Sequence, residues 1–72
     1  MRKRWETLSD GRFAFWDGWI LVGEVFRLPC GKAAVVWLGP GGWENGPAFG
    51  AVEPAKEWVE TEAKFREIAR LA

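Results

Sequence analysis

The sequence has no histidine, no tyrosine and no glutamine, and only one cysteine, one serine and one methionine in 72 residues. Without an imidazole, and with Ser9 and Cys30 as the only serine and thiol, no usual nucleophile–base arrangement can be assembled, so an enzyme is not expected. Cys30 has no second soft ligand nearby, so neither a metal nor a cofactor is expected. A single cysteine also excludes an intramolecular disulfide and fits a reducing compartment. Net charge is missing as well, because ten basic and ten acidic residues cancel. Bulk attraction to nucleic acid or to an anionic membrane is therefore not indicated. No apolar run approaches membrane-spanning length. Met1-Arg-Lys-Arg is followed by Trp5-Glu-Thr-Leu-Ser-Asp instead of the apolar core of a signal peptide. The chain reads as one soluble, cytoplasmic domain over 1–72, near the lower size limit for a core without staples.

What the sequence does hold is tryptophan, six in all, beside five phenylalanines. Three strand-like runs between Arg12 and Leu38 are joined by two turn signals. Asp17-Gly18 predicts a two-residue type I′ hairpin, pairing Trp16 with Trp19, Ala14 with Leu21 and Phe13 with Val22. Pro29-Cys30-Gly31 suits a three-residue connection with Gly31 in the left-handed position, pairing Leu28 with Lys32, Phe26 with Ala34 and Glu24 with Val36.

Residues 1–11 read as an N-terminal arm or edge strand with a turn at Ser9-Asp10-Gly11, and the side taken by Trp5 stays open. Residues 39–47, rich in glycine and proline, read as a loop that either presents Trp43 or folds it back over the sheet. A short edge strand is expected over 48–52 and a helix over 54–72, with Pro54 in its first turn. Trp58, Phe65, Ile68, Ala69 and Ala72 fall on one helical stripe. Glu53 and Glu57 near its start, with Arg66 and Arg70 near its end, complement the helix dipole. The predicted fold is α+β: an antiparallel meander of three to five strands with one C-terminal helix packed on one face.

Alternation sorts the sheet into two faces. One carries Phe13, Phe15, Ile20, Val22, Phe26, Leu28, Ala34, Val36 and Leu38 with Glu24, and is the expected partner of the helix. The other carries Ala14, Trp16, Trp19, Leu21, Val25, Val35 and Trp37, bordered by Arg12 and Arg27. That second face is too apolar for a solvated one, where polar residues should alternate in. Trp16, Trp19 and Trp37 with Leu21 and Val25 would form a patch of about 500 Å² or more, at the upper end for monomers. Tryptophan beside arginine is also the hot-spot composition of protein interfaces.

The expected binding residues are therefore Trp16, Trp19, Leu21, Val25, Arg27, Val35, Trp37 and Trp43. The expected function is a non-enzymatic protein-binding module that forms a homodimer or regulates a larger complex. Glu24 and Glu62 both project toward the expected core side. A bulge at Gly23-Glu24 turning Glu24 outward, with Glu62 at the stripe's edge beside Arg66, accounts for them without acid–base chemistry.

An alternative is a small barrel with the tryptophans inside. From Lys32 to Ala72, strand, glycine-rich loop, short Gly-Ala-Val-Glu strand and Pro-Ala-Lys-Glu helix start resemble the layout of small archaeal chromatin proteins and chromo-like barrels. That resemblance would imply an SH3-like barrel binding DNA or a modified lysine, with tryptophans stacking on bases or a cation. Such DNA binders are strongly basic, whereas this chain is neutral.

Overall fold

A computed structural model describes residues 3–39 and 41–71, with side chains described through 65. Five strands follow one another as β1 (Lys3–Ser9), β2 (Arg12–Asp17), β3 (Ile20–Arg27), β4 (Ala33–Gly39) and β5 (Gly42–Asn45), and α1 (Val52–Leu71) closes the chain. The strands form one antiparallel sheet in the order β1-β2-β3-β4-β5. The sheet is open, with β1 and β5 at its two edges, so the barrel alternative is not the architecture. No described helix is long and apolar enough to cross a membrane.

The second hairpin has the predicted register. Phe26 pairs with Ala34 and Glu24 with Val36, and the Leu28 amide donates to the Lys32 carbonyl at 2.8 Å. Gly31 takes φ +93°, as the turn requires. The first hairpin differs. Gly18 has φ +64° and, among the described residues, no non-glycine has positive φ. The tight loop is therefore Gly18-Trp19, in the type II′ manner with glycine first, and Asp17 pairs with Ile20 and Trp16 with Leu21. Farther along, Phe15 pairs with Gly23 and Phe13 with Val25, which leaves Val22 as an extra, bulged residue.

That bulge decides which residues lie under the helix. A shift of the loop alone would leave the predicted faces intact, because Trp16 and Leu21 still share parity. One extra residue in β3 flips everything beyond it relative to β2. The helix side accordingly joins Phe13 and Phe15 to Val25, Val35 and Trp37. Phe26, Ala34, Val36 and Leu38, expected beneath the helix, lie on the opposite face.

Gly23 pairs with Trp37 of β4. A Cβ there would lie 3.1 Å from both the Val36 carbonyl oxygen and the Trp37 Cβ. Because the carbonyl belongs to the paired backbone, the few tenths of an ångström it would have to give strain the ladder. Gly23→Ala should cost about 1–3 kcal/mol. Each kcal/mol shifts Tm by about 4–8 °C in a domain of this size, so the loss is readable by thermal circular dichroism.

The helix starts two residues earlier than expected and keeps Pro54 within its first turn, where the missing N–H is harmless. Val52, Ala55 and Val59 are buried and Trp58 and Ala63 partly so, the i, i+3, i+7 stripe of an amphipathic helix. Phe65, predicted on that stripe, is 64% exposed. Ile68, Ala69 and Ala72, with Arg66 and Arg70 of the predicted dipole pairing, lie outside the described side chains.

Phe15, Val25, Ala33 and Val35 complete the core. Trp5 joins it on the helix side, 4.8 Å from Phe15 between ring centroids. At the other flank Trp58 lies 5.5 Å from Trp37 and 6.3 Å from Phe49. Residues 39–47 are not loop throughout, since β5 forms within them. The expected edge strand at 48–52 reduces to a single bridge between Phe49 and Ala33.

Candidate functional site

The face of the sheet opposite α1 has three cross-strand rows of different chemistry. Nearest the Gly18-Trp19 turn, Arg4 pairs with Trp16, Trp16 with Leu21, and Leu38 with Trp43. The β3–β4 pairing ends at Gly23–Trp37, and just beyond it Leu21, paired with Trp16, and Leu38, next to Trp37 in β4, both face away from α1. Opposed residues share a face, so Trp16, Leu21, Leu38 and Trp43 form an apolar stripe across β2 to β5.

The middle row is small and polar: Glu6, Ala14, Glu24, Val36 and Asn45 are paired in sequence across all five strands. The third row holds Arg12, Phe26 and Ala34. The predicted apolar face is therefore a stripe near one end, bounded by a polar row.

Exposure confirms where the stripe meets solvent. Trp43 is 53% exposed and Leu38 43%, while Trp16 and Leu21 are half-buried. Trp19 leaves the sheet altogether: it stands at the turn beside the stripe, 96% exposed, followed by exposed Ile20. A loop tip with that much indole in water is an unusual use of a large apolar side chain.

The remaining predicted binding residues are placed elsewhere. Val25, Val35 and Trp37 are buried beneath α1, with Trp37 only 3% exposed. Arg27 lies at the far end of the helix side, its guanidinium 6.0 Å from the Phe13 ring centroid and 3.6 Å from the Asp10 carboxylate. The structure thus places Trp16, Leu21 and Trp43 on one face of the sheet, puts Trp19 at the turn next to Leu21's strand, and separates Val25, Arg27, Val35 and Trp37. Leu38 was assigned to the helix side; its place opposite Trp43 on the open face is the addition. The glycine at position 23, a frequent mark of a bulge within a strand, was the signal for that change of side.

Charges on the open face neutralise one another. Glu6 accepts a 2.9 Å hydrogen bond from the Trp16 indole, and the Arg4 guanidinium sits 5.5 Å from the Trp16 ring centroid. Glu24, 8% exposed at the centre of the face, accepts from Arg12 Nε at 2.9 Å, and Arg12 also stacks on Phe26 at 5.3 Å. Glu24 is thereby ion-paired with Arg12. Among the described residues no group of three or more His, Cys, Asp or Glu is placed to hold a metal ion. Cys30 is exposed at the turn between β3 and β4, the end of the sheet away from the stripe.

Compared with known proteins, the chain matches no family model, no curated protein and no solved structure.

Proposed function

We propose that this protein is a non-enzymatic binding module that self-associates through the open face of its sheet, stripe against stripe. The single observation that carries the proposal is that α1 covers one face only, leaving Trp16, Leu21, Leu38 and Trp43 in a row on the other. A second copy is the occupant the surface suits best. Arg4, Glu6, Arg12 and Glu24 balance within the face, so nothing on it selects an oppositely charged target. A formal net charge of zero also removes long-range repulsion between copies. The Arg12–Glu24 pair, flanking the stripe, supplies a polar marker against misaligned packing. A lone exposed thiol suits a reducing cytoplasm, where the association would operate without a disulfide.

Size sets the expected strength. Five strands at about 4.8 Å spacing and about six residues of length give a footprint of roughly 500 Å². Standard interfaces bury about 800 Å² per partner, so the dimer should be weak, with a Kd of about 1 μM or above. Light scattering over a dilution series tests this. The account expects the mass to fall from dimer to monomer as concentration drops through that range, and Leu38→Glu to remain monomeric throughout. A wild-type protein that stays monomeric at millimolar concentration removes self-association.

A further inference from the structure

We propose a second binding site, independent of the stripe, in which the free edge of β1 receives an extended acidic segment of another protein as an added strand. β1 is seven residues long and pairs on one side only, with β2. Its outward backbone groups form a template for a further strand, the mode by which many domains bind extended peptides. The edge is not blunted by proline.

Beside it, between β1 and the middle of α1, lies a cleft of about 450 Å³ lined by Lys3, Trp5, Phe15, Glu60, Thr61 and Lys64, with Arg4, whose guanidinium lies over Trp16 on the open face, at its rim. A strand laid along β1 would send alternate side chains into this cleft and across the open face toward Arg4.

Charge selects the occupant. Lys56 adds its ammonium 5.2 Å from the Trp5 ring centroid and 4.3 Å from that of Phe13, so Lys3, Arg4, Lys56 and Lys64 stand against the carboxylates Glu6, Glu60 and Asp17, the last paired across from Lys3. Two of these carboxylates already accept an indole N–H, Glu60 from Trp5 at 2.6 Å and Glu6 from Trp16 at 2.9 Å. The site therefore offers the ammonium groups of Lys56 and Lys64 beside an aromatic floor, which suits acidic residues alternating with apolar ones.

The test uses the whole protein and a short acetylated, amidated peptide of alternating Glu and Val, with a Lys and Val counterpart as control. Amide chemical shifts should move along Lys3–Ser9 and at Lys64 with the acidic peptide alone. Raising salt from about 50 mM to about 500 mM should weaken the effect, because exposed charges are then screened. Arg4→Glu with Lys64→Glu should weaken binding at least roughly tenfold. Trp43→Ala should leave peptide binding unchanged, which separates this site from the stripe. If the double variant loses its native spectrum, Lys64→Gln alone should still weaken binding measurably. Equal binding of both peptides, shifts confined to other strands, or no shifts at millimolar peptide would each overturn the proposal and leave the charged edge as a guard against aggregation.

Discussion

Replacing Trp37 by alanine is expected to remove about 3–5 kcal/mol of folding stability, the usual cost of truncating a large buried aromatic. The residue is almost wholly buried beneath α1 and packs on Trp58, so its loss leaves a cavity between sheet and helix that Trp58 alone cannot fill. A chain of 72 residues has a total stability of roughly 4–11 kcal/mol at about 0.05–0.15 kcal/mol per residue. The variant should therefore be largely unfolded at moderate temperature, or melt tens of degrees lower. Denaturant titration checks this directly. A loss below about 1 kcal/mol would mean that Trp37 is not part of the core and that the assignment of faces is wrong.

The second large effect is expected on association with the fold preserved. Trp16→Ala combined with Trp43→Ala removes both aromatic anchors of the stripe. Truncating a central interface tryptophan commonly costs about 2–4 kcal/mol of binding. The pair should then weaken self-association by roughly a hundredfold or more, at about 1.4 kcal/mol per factor of ten. Folding should suffer far less, since Trp43 is half-exposed and Trp16 lies on the uncovered face. The two experiments are complementary: Trp37 is expected to carry stability, and Trp16 and Trp43 are expected to carry the proposed binding. Parallel losses of fold and assembly in both variants would contradict that division.

The same division marks how far the sequence could be read. The antiparallel meander and C-terminal helix were legible because their signals are local. Gly31 after Pro29-Cys30 admits essentially one hairpin geometry, and Pro54 with the following amphipathic pattern marks a helix start. The faces were not legible to the same extent. They depend on a running parity along the strands, and one bulged residue, Val22, reverses that parity for half the sheet.

The consequence fell on particular residues. Val25, Val35 and Trp37 moved from the expected binding face to the core, and Leu38 moved the other way. Trp19 was displaced by a smaller error, the assumption that Asp17 could adopt positive φ; of the two turn residues only Gly18 does so, and the indole rides on the loop tip. The cleft beside β1 is legible in neither composition nor spacing, because Lys3, Arg4, Glu60 and Lys64 come to line it only through the packing of α1 on the sheet.

The central claim is that copies of this protein meet through Trp16, Leu21, Leu38 and Trp43. The most direct measurement is the set of indole N–H resonances followed on dilution from millimolar to low micromolar protein. The account predicts that the signals of Trp16 and Trp43 shift with concentration, with Trp19 beside them, while those of Trp37 and Trp58 stay fixed. Constant signals for Trp16 and Trp43 alongside a falling mass would place the contact on another surface and contradict the account.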